Sequence, residues 1–241
     1  MCGRLVSTTP ASVIADHFDA TAPVHELTPD HNLAPTRDLY VVGQGSEGRA
    51  MRVMHWGLVP PWAKDVSGAS RLINARAETV AEKPSFRSAF RHRRCIIPVD
   101  GFYEWTTTPG ALRRQPMFIS AADGEMLAFA GLHEFWRTPE ADAGDPGLHS
   151  CCIITCAANA FIGAIHDRMP VILPRSAWSS WLDPTRGPED LQALLVPASE
   201  ELLVMHPVST EVNSARNNGP HLLERVEPTA IGEIPGQGTL L

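Results

Sequence analysis

Cysteine at position 2 is the residue whose placement says most about chemistry. With Met1 removed, Cys2 carries an α-amine and a thiol on adjacent carbons. An α-amine titrates near ~8 and a thiol near ~8.5, so each has a nucleophilic fraction at neutral pH. Such a 1,2-aminothiol has a reaction closed to an internal cysteine. Its amine forms an imine with an aldehyde, and its thiolate then closes a five-membered thiazolidine ring. The same group could instead act as an N-terminal nucleophile on an amide. An ordinary cysteine near a chain start looks identical in isolation.

Four further clusters carry reactive residue types. Gly101-Phe102-Tyr103-Glu104-Trp105 follows an apolar run. A carboxylate among aromatics is desolvated, which raises its pKa towards the range of a general acid or base. An edge-strand glutamate reaching water is the plainer alternative. Ile165-His166-Asp167-Arg168-Met169-Pro170 sets an imidazole, a carboxylate and a guanidinium side by side ahead of a strand, suited to proton shuttling and phosphate contact or to a local ion pair. In Ile73-Asn74-Ala75-Arg76-Ala77-Glu78 the polar residues alternate. An extended chain points Asn74, Arg76 and Glu78 the same way. Trp56-Gly57-Leu58-Val59-Pro60-Pro61-Trp62 presents Trp62 on a stiff proline loop, either as a stacking platform for a single-stranded base or as a core residue.

These residues need a scaffold, and the patterning predicts a β-dominated one. Strands are expected at 39–42, 52–56, 95–99, 117–120, 127–132, 151–155, 171–173 and 202–206. Thr9-Pro10 reads as an N-cap and first-turn proline before a helix over 11–18, with Val13, Ile14, His17 and Phe18 on one face. Further short helices are expected at 176–182 and 189–195. Loops are expected over 62–70 and over 138–149, the second as a hairpin tip. The fold class is therefore α+β: a single compact β-dominated domain with a few short helices, spanning 1–228, and a tail over 229–241.

Composition narrows the function classes. The chain has 241 residues, 44% hydrophobic and 20% charged, which suits a globular core. No apolar run approaches the roughly eighteen residues of a membrane helix, and no secretory signal opens the chain. A net charge of −7 argues against generic duplex coating. Residues 71–94 nevertheless hold seven basic side chains against two acidic ones, a local +5 that leaves −12 elsewhere. Five cysteines, two of them vicinal, suit a reducing compartment. Neither Cys-x-x-Cys nor His-x-x-x-His spacing occurs, so no structural zinc site is expected.

The motifs also form a series. Met-Cys-Gly-Arg at 1–4, Asn-Leu-Ala-Pro at 32–35, Trp-Gly-Leu-Val-Pro-Pro-Trp at 56–62 and Asn-Ala-Arg-Ala-Glu-Thr at 74–79 come first. Arg-Arg-Cys-Ile-Ile-Pro-Val-Asp-Gly-Phe-Tyr-Glu-Trp at 93–105, Ile-His-Asp-Arg-Met-Pro at 165–170, Pro-Val-Ser at 207–209 and Val212-Asn213 follow. This order, from residue 2 to about 228, resembles the SRAP family (SOS response-associated peptidase), the abasic site processing proteins. The resemblance implies a β-rich α+β fold with a groove for single-stranded DNA. It implies loss of Met1, by self-processing or otherwise, and a thiazolidine between Cys2 and the ring-opened aldehyde of an abasic deoxyribose, which shields the lesion from strand cleavage.

By the same resemblance, Cys2 is the nucleophile and Asn74 positions the amine and the sugar. Glu104 transfers protons, and His166 assists sugar ring opening and reversal. Arg4, Arg76 and Arg168 are phosphate contacts, Trp62 a stacking aromatic, and Asn32 and Pro35 part of the segment near Cys2. Ala63 stands where some relatives have a second aromatic. The implied protein is a bacterial, cytoplasmic, nucleoid-associated monomer that uses no cofactor or metal and partners abasic single-stranded DNA. Two other readings stay open: a cysteine peptidase acting on other proteins through Cys2, Asn74 and His166, and a non-catalytic reader of DNA structure relying on Arg76 and Trp62.

Overall fold

The computed structural model describes residues 2–106, 114–138 and 144–227. The expected tail over 229–241, and the centre of the expected hairpin tip over 138–149, lie outside the described residues.

In chain order the elements are β1 (Leu5–Ser7), α1 (Ala11–Phe18), β2 (Ala20–Thr21), β3 (Asp30–Leu33), β4 (Asp38–Gly45), β5 (Gly48–Trp56), β6 (Asn74–Arg76) and α2 (Pro84–His92). Then follow β7 (Arg94–Val99), β8 (Gly101–Thr106), β9 (Gln115–Ala121), β10 (Leu127–Trp136), β11 (Leu148–Ala157), α3 (Ala160–Gly163) and β12 (Arg168–Pro170). The short α4 (Trp178–Leu182), α5 (Pro188–Gln192) and β13 (Leu203–Pro207) complete the set. The expected β-dominated α+β class is what forms. No helix among the described residues is long and apolar enough to cross a membrane.

Two sheets share these strands. One runs β13-β9-β8-β1-β3, and the other β12-β11-β10-β7-β4-β5-β2, with β6 beside β11. In the second sheet β5 also pairs in parallel with β11, at Ser150 opposite His55 and Cys151 opposite Trp56. Strands β5, β4, β7, β10 and β11 thereby close into a barrel. Its all-apolar strands are legible in sequence because both their faces are covered. In β7 every residue is buried. Asp100 alone separates β7 from β8, so the chain crosses from barrel to second sheet in one residue.

That crossing also orders the N-terminus. Asp100 Oδ2 accepts from Thr8 N (2.5 Å), Thr8 Oγ1 (2.8 Å) and Thr9 N (3.1 Å), and Oδ1 accepts from Thr9 Oγ1. Thr9 is therefore not a helix cap: Pro10 holds the cap position, and no side chain caps α1. The buried stripe of α1 is Ala11, Ile14, Ala15 and Phe18, while Val13 faces outward. The strand expected at 171–173 lies earlier, as β12, and continues only as a single bridge of Ile172 to Phe129. Pro170 and Pro174 have no N–H to extend a ladder. The helix expected at 176–182 begins as a 3-10 turn at Arg175–Ala177, and the one at 189–195 ends at Gln192. Helix α2, not expected, starts on Pro84 and buries Phe86, Ala89 and Phe90, a normal i, i+3, i+4 stripe.

Candidate functional site

The four residues with reactive side chains reach one place from four distant parts of the chain. Cys2 precedes β1, Glu104 lies on β8 of the same sheet, and Asn74 opens β6 beside Ile153 of β11. His166 sits in the turn after α3. Asn159 caps that helix, its Oδ1 accepting from Ile162 N at 2.9 Å, and His166 N donates to Ile162 O at 2.9 Å. The site thus forms where the barrel meets the second sheet.

Asn74 Nδ2 donates to the Cys2 carbonyl at 2.8 Å, which fixes the backbone of Cys2. Asn74 Oδ1 is buried with no hydrogen-bond partner among the described residues. The Cys2 side chain is fully buried. Burial, with Glu104 adding to it, pushes its thiol well above the ordinary value, and the charge of the amino terminus opposes that shift. Glu104 is buried too, which raises its carboxyl above 4.5; the amino-terminal charge and His166 pull it back. His166 Nδ1 accepts from Arg168 N at 2.9 Å and lies 3.1 Å from Asp167 Oδ1, so this nitrogen is committed to its own turn. The Asn74 amide is thus bonded to Cys2, and electrostatics couple Cys2 to Glu104 and Glu104 to His166.

The residues expected to touch DNA divide into two kinds. Trp62 is 60% exposed, and Arg76 is exposed two residues beyond Asn74 on the same face of β6. Arg4 points inward instead. Its NH1 donates to Asn32 Oδ1 (2.6 Å) and to Val212 O (2.7 Å), and its guanidinium lies 5.9 Å from the Trp105 ring centroid. Asn32 is fully buried, and its Nδ2 holds the carbonyls of Val212, Ser214 and Asn217 at 2.9–3.3 Å. Pro35 is half-buried before Thr36, whose φ is 69° and whose N–H donates to Trp56 O. Arg168 forms a two-pronged pair with Glu78 (2.5 and 3.0 Å) and also donates to Thr155 O.

Sequence reasoning missed some of this shell. Trp105 Nε1 donates to Asn213 Oδ1 at 2.7 Å, which ties β8 to the 3-10 turn at Thr210–Asn213. The recurrence of Val212-Asn213 at the end of the motif series is the signal that could have found it. The basic window is also less uniform than its charge count. Arg94 is buried and donates to the carbonyls of Phe90, Arg91, Trp181 and Asp183, and Arg93 pairs with Glu134 at 2.6 Å. Both hold the fold.

This arrangement, with a buried cysteine at position 2 bonded through its carbonyl to an amide and set near a buried carboxyl, lies within a chain that belongs to the SOS response associated peptidase (SRAP) family, whose model matches residues 1–215. The chain is 43% identical over 228 residues to the abasic site processing protein YoqW of Bacillus subtilis (strain 168), covering 93% of this chain and 99% of that one. It is 33% identical to the abasic site processing protein HMCES of Pongo abelii, across 92% of this chain and 70% of the relative. Its fold matches a crystal structure from Bacteroides thetaiotaomicron with a TM-score of 0.82, at 24% identity over 94% of this chain and all of the other. A Bordetella bronchiseptica structure matches with a TM-score of 0.74, at 26% identity over 86% of this chain and all of the other.

Proposed function

We propose that this protein captures abasic sites in single-stranded DNA as a thiazolidine on Cys2, shielding the lesion during the DNA damage response. The 2.8 Å bond from Asn74 to the Cys2 carbonyl carries the reading, because it fixes the backbone of the chain's second residue, whose thiol feels the Glu104 charge. Relatives named abasic site processing proteins support it.

The chemistry begins with hydrolysis of the Met1–Cys2 amide, a self-processing step in which Glu104 moves the water's proton. Asn74 Oδ1, buried and unpartnered, is an acceptor for the amine so released. That amine adds to the open-chain aldehyde of the abasic sugar, with His166 assisting ring opening. Glu104 in its protonated form, which burial favours, gives its proton to the departing hydroxyl, which leaves as water. The resulting carboxylate takes the thiol proton, and sulfur attacks the iminium carbon. The aldehyde and aminothiol become a thiazolidine plus one water, and Glu104 ends protonated as it began. Arg76 and Trp62 supply strand contacts, and the expected groove, the monomeric state and the nucleoid setting belong to this same proposal.

Peptidase action on other proteins fits the geometry less well. A general cysteine peptidase needs a thiol depressed by an imidazolium, whereas burial raises this one. The test is a denaturing gel of the protein with a single-stranded oligonucleotide carrying one abasic site. A heat-stable shifted band is expected for the processed protein, and none for Cys2→Ala or for a form that keeps Met1. Absence of the band from protein shown by mass spectrometry to lack Met1 would overturn the reading.

A further inference from the structure

The barrel formed by β5, β4, β7, β10 and β11 opens at one end into a cavity of about 240 Å³. Register shows what faces into it. Val41 and Gly43 of β4 stand opposite Arg52 and Ala50 of β5, and Gly43 stands opposite Cys95 of β7. Cys95 in turn faces Gly131 of β10. Directly paired residues share a face and every second residue returns to it. His133 therefore joins this face two residues after Gly131. His149 of β11 joins it two residues before Cys151, the partner of His133. A Cβ on Gly43 would meet nothing within 4 Å, so the mouth is open there.

Cationic and donor groups ring the opening from three sides. Arg52 comes from β5, His92 and Arg93 from the end of α2, and His133 from β10. Glu134 engages one Arg93 nitrogen, but Arg93 Nε is buried with no partner among the described residues, as is His149 Nδ1. Burial, helped by Arg93, His149 and Arg52, pushes His133 down to about 4. The surroundings thus oppose any further positive charge. A planar carboxylate uses one fork of donors, while a tetrahedral oxyanion accepts from several sides at once.

We infer that the barrel mouth binds a phosphate-class oxyanion at a site separate from the Cys2 centre. His149 and Ala157 lie near opposite ends of β11, roughly 26 Å apart at 3.3 Å per residue, and Ala157 pairs with Arg168 beside His166. The inference does not rest on the thiazolidine reading. Two sources carry the chemistry: free inorganic phosphate and the phosphodiester of a strand.

The experiment follows the imidazole carbon–proton signals of the full chain by NMR, with His133→Asn, His149→Asn and His166→Asn to assign the three that are read. Inorganic phosphate is titrated at fixed ionic strength against a chloride control. Saturable movement of the His133 and His149 signals is expected, with the dissociation constant raised about tenfold in Arg52→Gln. Unchanged His166 signals and thermal unfolding show that this variant is folded. Movement with an unphosphorylated oligonucleotide but not with inorganic phosphate assigns the site to a strand phosphodiester. Chloride acting as strongly as phosphate, or no ligand moving the signals, overturns the inference. Neither result depends on whether Cys2 crosslinks.

Discussion

At the scale of single residues, Asn74 and Glu104 do different work around the same nucleophile. Asn74 holds the Cys2 backbone through Nδ2, and its Oδ1 has no hydrogen-bond partner among the described residues. Asn74→Ala should slow crosslinking about 10–100-fold while leaving affinity for intact single strands nearly unchanged, because it removes positioning rather than strand contact. Single-turnover rates beside a binding titration check this, and an equal loss in both would assign Asn74 to strand binding. Glu104 carries a stability cost of a calculable sign. Its folded pKa is raised above 4.5, chiefly by burial, so the native state keeps a proton that the unfolded chain gives up. Stability is full below about pH 4.5 and declines as pH rises through the raised value. Glu104→Gln should therefore raise the melting temperature at pH 7, leave it unchanged near pH 4, and slow crosslinking on the order of 10²-fold. Thermal scans at the two pH values decide it.

At the scale of elements, the site depends on how tightly β8 is clamped between β1 and β9. Gly101 begins that strand at its closest approach. A Cβ there would stand 2.5 Å from Phe118 Cε2 and 2.6 Å from Ile119 O. A ring can turn, but the carbonyl belongs to the β9 backbone. Gly101→Ala should cost about 1–3 kcal/mol in urea unfolding, and should slow crosslinking as well, since Glu104 rides three residues along the displaced strand. Unaltered stability would mean that β9 yields beside β8 more easily than this packing implies. The segment around 212–217 is the other clamp. Asn32, fully buried, and Arg4, half-buried, hold it from inside, so both shape the site through this segment.

For the molecule as a whole, a charge of −7 makes the proposed strand binding depend on a few exposed cations. Each phosphate neutralised on a single strand contributes a slope of about −0.7 in log affinity against log salt. Arg76→Ala should reduce that slope by about 0.7. Arg168→Ala should reduce it less, because Glu78 already occupies the guanidinium from two sides. Salt titrations by fluorescence anisotropy check both, and equal slopes for the two variants would remove the distinction.

The order of motifs, the types of the reactive residues and the core strands 95–99, 127–132 and 151–155 are properties of the sequence alone, because a buried strand must be apolar on both faces and an aminothiol must sit at residue 2. Helix α2 is equally legible in Pro84, Phe86, Ala89 and Phe90, although its arginines give the same segment the pattern of a charged surface. Other features could only come from tertiary structure. Local pattern says which face of a strand is apolar, not what will cover it. Hence the inward turn of Arg4 and Asn32, the capture of Arg168 by Glu78, and the burial of Arg94 beneath α2 had no local sign. The parallel closure of β5 on β11, which makes the barrel and its cationic mouth, joins segments nearly a hundred residues apart. Pairing over that distance is fixed by the packing of the whole core, and with it the meeting of Cys2, Asn74, Glu104 and His166.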